Sequence, residues 1–437
     1  MSDTDLAHLQ IGSGALSLGL VVPVVYKAGI STTIVNRWRD DNTPSAARCA
    51  QLKSNRSYSV KCGDTEETIE GFNFKYFTDP LPESLLASPR LLITTAVTAD
   101  GLKGITEYLA SILQARFNKC DDNSITYIIA CENMPNNSQN LKGKLRQHAM
   151  DKKLAKFNSA LSMNCAFLNT VVDRICTLPE PHATIQTEVR TESKFQWFVD
   201  VSTITNREPW VQLLKEKFEP HWRILTNPQF SFFEKRKAWF VNGGHLALAA
   251  YASTFQDKHL YRALKNPKIC RKLDLVFKAM SYALDYYREL YGIPENGEIS
   301  LEGNIMFGQQ VKERFEQSED TVGRIHRSLM KAETATEILN KIFSKLSAKM
   351  PNLRLGKKDI ISLIDALDIN QYTERVLTRI IDGMEHLLEY NDLTNGELFK
   401  KEPYMAAEVI SLGNQCMKVI NSELARTTNS LRETIED

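Results

Sequence analysis

His8-Leu-Gln-Ile-Gly-Ser-Gly14, the apolar stretch Leu16 to Ala28, then Gly29 and Thr32-Thr-Ile-Val35 decide how this chain folds. His8 to Ile11 reads as a short strand that runs into two glycines, and the apolar stretch after them reads as a helix. Gly29 stands where a helix stops, and Thr32 to Val35 is a second strand, so the segment spells a β-α-β unit. Gly12 and Gly14 supply the tight turn and the close backbone approach that a pyrophosphate at a helix N-terminus requires. The third glycine of the G-x-G-x-x-G pattern is replaced by Ser17, with Gly19 two residues on. The strand before and the helix after favour a dinucleotide site at Gly12, Ser13 and Gly14 over a purely structural turn.

The end of the second strand bears on which dinucleotide is held. An NAD site usually places a carboxylate there for the ribose hydroxyls; this chain has Asn36 followed by Arg37. Loss of the carboxylate and gain of a guanidinium suit a 2′-phosphate, which tilts the expectation of NAD or NADP toward NADP. The alternative is that Arg37 stacks on adenine or faces water.

Moving outward, residues 42–83 are polar and suggest small strands around Tyr58 and Phe72 on a loop-rich excursion. Leu91-Leu-Ile-Thr-Thr-Ala-Val97 is a buried-strand run whose small residues, Thr95 and Ala96, suit the ribose of a nicotinamide. Gly101 to Phe117 reads as a helix, and Ile125 to Ala130 as a strand delivering Cys131-Glu-Asn-Met134 at its carboxyl end. Ligands of open α/β sheets sit at such ends, so Glu132 and Asn133 are candidate site residues, with a helix cap as the alternative. Asp173 and Arg174 lie inside an apolar stretch, either as a structural ion pair or as substrate contacts.

Prolines at 209, 220 and 228 mark loops and a domain boundary, giving residues 1–228 as a Rossmann-like domain and 229–437 as a mostly α-helical one. Within the second, Glu234-Lys-Arg-Lys-Ala-Trp-Phe-Val-Asn-Gly-Gly-His245 places Lys237, Asn242 and His245 at positions 0, +5 and +8. On an α-helix these fall at roughly 0°, 140° and 80°, so three polar heads can share one cavity. A desolvated lysine as base, an amide holding the oxygen and an imidazole orienting it make a set for moving a proton from an alcohol. The competing account is an ordinary helix start with a basic, solvated face. Helical spacing recurs at 271–291, 360–367 and 372–390, and Gly323-Arg-Ile-His-Arg327 offers Arg324 and Arg327 to an anionic substrate group, with a solvated face as the commoner explanation.

Composition narrows the class. The chain has 437 residues, 43% hydrophobic and 24% charged, and a formal charge of +1 from 54 basic and 53 acidic residues. That balance leaves no electrostatic footprint for nucleic acid or an anionic membrane. No apolar run approaches the roughly 20 residues that span a bilayer, and Met1-Ser-Asp-Thr-Asp-Leu has no signal-peptide core. Eight cysteines show no CxxC pair or zinc spacing. The expectation is a cytoplasmic protein with reduced thiols, no metal and a small-molecule substrate.

Taken together, the pieces resemble the long-chain polyol dehydrogenases, a family that includes mannitol-1-phosphate 5-dehydrogenase and mannitol 2-dehydrogenase. The resemblance runs from Gly12 to about Lys331. It rests on Gly12-Ser-Gly14, Thr94-Thr-Ala-Val97, Ile129-Ala-Cys-Glu-Asn-Met134, Val172-Asp-Arg-Ile175 and Lys237-x4-Asn242-x2-His245. It implies metal-independent hydride transfer between a secondary alcohol and a ketone on a polyol, sugar phosphate or hydroxy acid. By the same resemblance Lys237 is the general acid–base, Asn133 and Asn242 hold the oxyanion, and His245 orients the substrate. Glu234, one turn before Lys237, can relay the proton to water.

The departures from the family pattern are Ser17, which would shift the pyrophosphate slightly, Asn36, and a region after Arg324 that matches only in part. Two rivals follow. One is a β-hydroxyacid or 6-phosphogluconate-type dehydrogenase, which pairs lysine and asparagine at shorter spacing and lacks the histidine at +8. The other is a dinucleotide-binding regulatory protein without turnover.

Overall fold

Six strands lie parallel in one sheet, in the order Asn73–Tyr76, Thr32–Asn36, Leu6–Ile11, Arg90–Thr95, Ile125–Ala130 and Cys165–Phe167. This computed structural model describes residues 6–37, 43–99, 101–120, 124–178, 187–204, 208–253, 259–317 and residue 405. The parallel order follows from helical crossovers between strands, each of which needs a dozen or more residues. Leu91 and Ile93 face the core built with the helices Gly101–Phe117 and Asn137–Asp151, while Leu92 faces the opposite core with Trp197 and Trp222. Alternate residues thus enter opposite layers, which is why this strand reads as one continuous apolar run.

The chain divides into two compact units, Met1–Phe230 and Ser231–Asp437. The first adds a four-stranded sheet ordered Cys176–Thr177, Glu188–Thr191, Ser57–Cys62, Thr65–Glu70, and a three-stranded one ordered Arg223–Leu225, Gln196–Asp200, Thr170–Asp173. The regular elements among the described residues of the second unit are helices, the longest being Pro267–Leu290 and Leu301–Glu316. The fold is therefore α/β, with a Rossmann-like first unit and a helical second one.

One sequence expectation needs correction. Residues 42–83 are not a loop-rich excursion throughout, because Pro44–Asn55 is a helix capped by the Thr43 hydroxyl. Only Cys49 and Leu52 of that helix are buried among its described side chains, so it offers little apolar periodicity to read. The apolar stretch that holds Asp173 is shared between two sheets, since Cys165–Phe167 and Thr170–Asp173 belong to different ones. Arg324, Arg327 and the helical spacings at 360–367 and 372–390 lie outside the described residues.

Candidate functional site

Register brings the site residues of the first unit to one edge of its main sheet. Ile11 pairs with Val35 on one side and Thr95 on the other, and Thr95 pairs with Ala130. The segments that leave these strands therefore emerge together: Gly12 to Gly14, Asn36–Arg37, Ala96–Val97 and Cys131 to Asn133. This is the carboxyl edge at which open α/β sheets take ligands. A cleft of about 300 Å³ opens there, lined by Gly12, Ser13, Gly14, Asn36, Arg37 and Ala96 among others.

The glycine turn fits a dinucleotide. Gly12 has φ +97°, and a Cβ there would lie 2.7 Å from the Ala96 carbonyl oxygen, so no larger residue keeps this backbone path. At Ser17 the third glycine is not simply lost: the buried hydroxyl donates to the Gly12 carbonyl at 2.8 Å. The close approach expected of that third glycine falls instead on Gly19, where a Cβ would meet Cys176 Sγ at 2.8 Å and Thr191 Cγ2 at 2.9 Å. Ser17–Val21 itself forms a π-helical turn before Val22–Lys27 continues as α-helix. These residues suit a pyrophosphate resting on the turn.

Around the second strand end, Asn36 donates through Nδ2 to Ser13 Oγ at 2.6 Å and to Cys49 Sγ at 3.2 Å, and its Oδ1 accepts the Arg37 N–H at 2.8 Å. Arg37 reaches across to the Gly104 carbonyl at 3.1 Å. Ala96 lines the cleft, but the Thr95 side chain turns inward, and its hydroxyl donates to the Glu132 carboxylate. Glu132 is buried, with its pKa pushed up to about 7 by desolvation against the opposing pull of its donors Val97 and Thr95. Asn133, next along, is half-buried.

Asp173 is buried in the three-stranded sheet, opposite Gln196. Arg174 serves packing within the first unit: it donates to the Gly19 carbonyl at 2.7 Å and to the Glu192 carbonyl at 2.9 and 3.0 Å. It lines a separate cleft of about 250 Å³ with Lys27, Phe195 and His221. The structure gives the Asp173–Arg174 stretch a place in the sheet packing and not on the glycine cleft.

In the second unit, Lys237–Asn242 is a π-helical turn between the helices Gln229–Arg236 and Gly243–Ser253. Bonding from i to i+5 brings residues five apart onto one face, so Lys237 and Asn242 align more closely than on the α-helix that their spacing suggested. Glu234, Lys237, Asn242 and His245 are all half-buried, whereas Ala238 to Val241 are buried. The His245 ring stacks on Phe315 with centroids 4.0 Å apart. The basic run before Lys237 is not a solvated face. Arg236 is buried, donates to Glu298 at 2.6 Å and lies over the rings of Phe233 and Phe307.

Several known proteins resemble this chain. The profile of the mannitol dehydrogenase Rossmann domain matches residues 7–213. The match covers the first unit, whose residues 7–213 carry the features of a mannitol dehydrogenase Rossmann domain. It is 25% identical to the mannitol-1-phosphate 5-dehydrogenase of Aspergillus terreus, over 72% of this chain and 75% of the relative. Identity to the enzyme of that name from Buchnera aphidicola is 23%, over 87% of this chain and 92% of the relative. The Pseudomonas fluorescens mannitol 2-dehydrogenase, solved as a ternary complex with NAD and D-mannitol, shares the fold with a TM-score of 0.56 at 15% identity, covering 97% and 95% of the two chains. A substrate-free D-sorbitol dehydrogenase does so with a TM-score of 0.59 at 14% identity, covering 96% and 94%.

Sequence reasoning passed over several polar groups in and behind the cleft wall. Gln10, Thr94 and His8 are polar residues inside buried strands, and Cys49 is a cleft wall on the unexpected helix. The signal available was polarity at central-strand positions, where an apolar side chain is the rule. Among the described residues no group of three or more His, Cys, Asp and Glu is arranged to hold a metal, and no helix is long and apolar enough to cross a membrane.

Proposed function

We propose that the chain is an NAD(P)-dependent polyol dehydrogenase that interconverts a secondary alcohol and a ketone, with mannitol 1-phosphate as the first substrate to test. The observation that carries this reading is the Gly12 turn at the mouth of the cleft, within a mannitol dehydrogenase Rossmann domain. Relatives named mannitol-1-phosphate 5-dehydrogenase support the substrate class. When bound, the nicotinamide accepts or returns a hydride.

The chain's own residues do the rest. Gly12, Ser13 and Gly14 seat the dinucleotide. Lys237 takes the hydroxyl proton as the alcohol is oxidised, and Glu234 passes it to water. Asn133 and Asn242 donate to the oxygen as its negative charge develops, a role that fixed donors about 3 Å away perform without reorganisation. His245, held by its stack on Phe315, orients that oxygen. Arg37 at the end of the second strand favours NADP, because Asn36 spends its amide on Ser13, Cys49 and the Arg37 N–H and carries no carboxylate to repel a 2′-phosphate. The same reading has the chain acting as a cytoplasmic monomer without a resident metal.

The test is fluorescence-quenching titration with NADH and NADPH, followed by assay of mannitol 1-phosphate oxidation with the coenzyme that binds, with and without EDTA. Micromolar binding and EDTA-resistant turnover are expected. A protein that binds neither nucleotide below millimolar is not a dehydrogenase of this type.

A further inference from the structure

A chain of buried hydrogen bonds crosses the three central strands and ends on the glycine turn. Gln10 Nε2 donates to the Ile11 carbonyl at 2.9 Å and to the Gly12 carbonyl at 3.1 Å. Its Oε1 accepts the Thr94 hydroxyl at 2.5 Å. That hydroxyl has one proton, already given to Gln10, so the 2.7 Å contact between Thr94 Oγ1 and His8 Nε2 must have the imidazole as donor. His8 Nδ1 is then the acceptor, and Thr32 supplies the proton across 3.0 Å. Every bond runs in one direction: Thr32 to His8, His8 to Thr94, Thr94 to Gln10, and Gln10 to Gly12. The neutral imidazole this requires is the form that burial enforces, holding the His8 pKa down to about 3.

The Gly12 carbonyl therefore receives two side-chain donors from inside the fold, Gln10 and the hydroxyl of Ser17 at 2.8 Å. A trans peptide is planar, with its C=O and the next N–H pointing in opposite directions. Drawing the Gly12 carbonyl inward turns the Ser13 N–H outward. An outward N–H on a glycine turn is the group that an anion meets.

We infer that Ser17 and Gln10 are positioning residues for nucleotide binding, which clamp the Gly12 carbonyl and thereby aim the Ser13 N–H at the diphosphate. The inference rests on the dinucleotide reading of the cleft. It also gives a physical role to the residue that breaks the glycine pattern: Ser17 replaces the third glycine with a hydrogen bond, while Gly19 supplies the close approach.

The experiment measures dissociation constants of NADH, NADPH, ADP and adenosine for the full chain and for Ser17→Ala and Gln10→Met. ADP carries the diphosphate and adenosine lacks it. Removal of one clamp is expected to weaken ADP and NADH about three- to tenfold, the usual range for one hydrogen bond, and to leave adenosine within about twofold. Ser17→Ala deletes a single oxygen and serves as the deciding variant if Gln10→Met does not fold. Unchanged ADP affinity in Ser17→Ala overturns the inference. So does an equal loss for ADP and adenosine, which would mean general loosening of the cleft. Failure of the unaltered protein to bind NADH or NADPH is a separate result, needing no variant, and removes the dinucleotide reading itself along with the clamp.

Discussion

The Glu132 carboxylate accepts the Thr95 hydroxyl at 2.8 and 2.9 Å and the Val97 N–H at 3.0 Å, tying the ends of two neighbouring central strands together. The bond network holds the Thr95–Val97 segment whose Ala96 carbonyl lies beneath Gly12. Glu132 is only 4% exposed, and burial raises its pKa from 4.5 to about 7 against the opposing pull of these donors. The unfolded chain therefore releases this proton before the folded one does. Stability is greatest below about pH 4.5 on this account, falls as pH rises toward 7, and levels off above it. Integrated over that window the loss is roughly 3 kcal/mol. Glu132→Gln is expected to remove this slope, as read from urea midpoints between pH 5 and 8. Parallel slopes in the two proteins would take Glu132 out of the account.

Arg116 is 1% exposed, and its partners among the described residues are a hydroxyl and backbone carbonyls. It donates to Thr126 Oγ1 at 2.8 Å and to the carbonyls of Leu86, Ser88 and Ile125 at 2.9, 2.6 and 3.0 Å. Arg116→Met leaves those carbonyls buried without their donor and is expected to cost about 3–5 kcal/mol of stability. Chemical denaturation measures it, and a loss under 1 kcal/mol would show that the carbonyls find other partners.

Gly12→Ala and Gly14→Ala are expected to differ. The first forces a side chain onto φ +97° and within 2.7 Å of backbone; the second places its Cβ 3.9 Å from the same Ala96 oxygen. Gly12→Ala should lose about 1–3 kcal/mol and bind NADH at least about tenfold more weakly. Gly14→Ala should keep its stability within about 1 kcal/mol. Equal thermal midpoints for the two variants would contradict the steric argument.

Lys237→Ala is expected to lower turnover by about 10²- to 10⁴-fold, the usual contribution of a general base, with coenzyme affinity within a few-fold of the unaltered protein. Undiminished turnover would remove Lys237 from the proposed chemistry.

Arg37→Ala separates the coenzymes. Loss of a guanidinium facing a 2′-phosphate should weaken NADPH about tenfold or more and change NADH by less than about threefold. An equal effect on both would fit adenine stacking, the other role open to Arg37.

Much of the first unit was legible because its signals are local. Gly101–Phe117 and Ile125–Ala130 carry their own periodicity, and Thr32–Asn36 is bounded by the turn after Gly29. Pro44–Asn55 was not legible, since two buried side chains among those described make no helical stripe. The hydrogen bond of Ser17 was not legible for a related reason. Its partner, the Gly12 carbonyl, is a backbone group, and no side-chain pattern advertises a backbone acceptor.

The sequence by itself determined the β-α-β start, the glycine turn, the buried parallel strands and their likeness to a mannitol dehydrogenase Rossmann domain. Each depends on residue type and spacing over a few turns or strands, where backbone sterics and apolar periodicity act. Tertiary structure alone decided that Thr95 faces Glu132, that Arg174 bolts Gly19 to Glu192, that Lys237 and Asn242 share a π-helical turn, and that His8 feeds a hydrogen-bond chain into the Gly12 carbonyl. Buried polar groups must find partners wherever the fold brings them, and across parallel strands those partners are distant in sequence: Thr94 is 86 residues from His8.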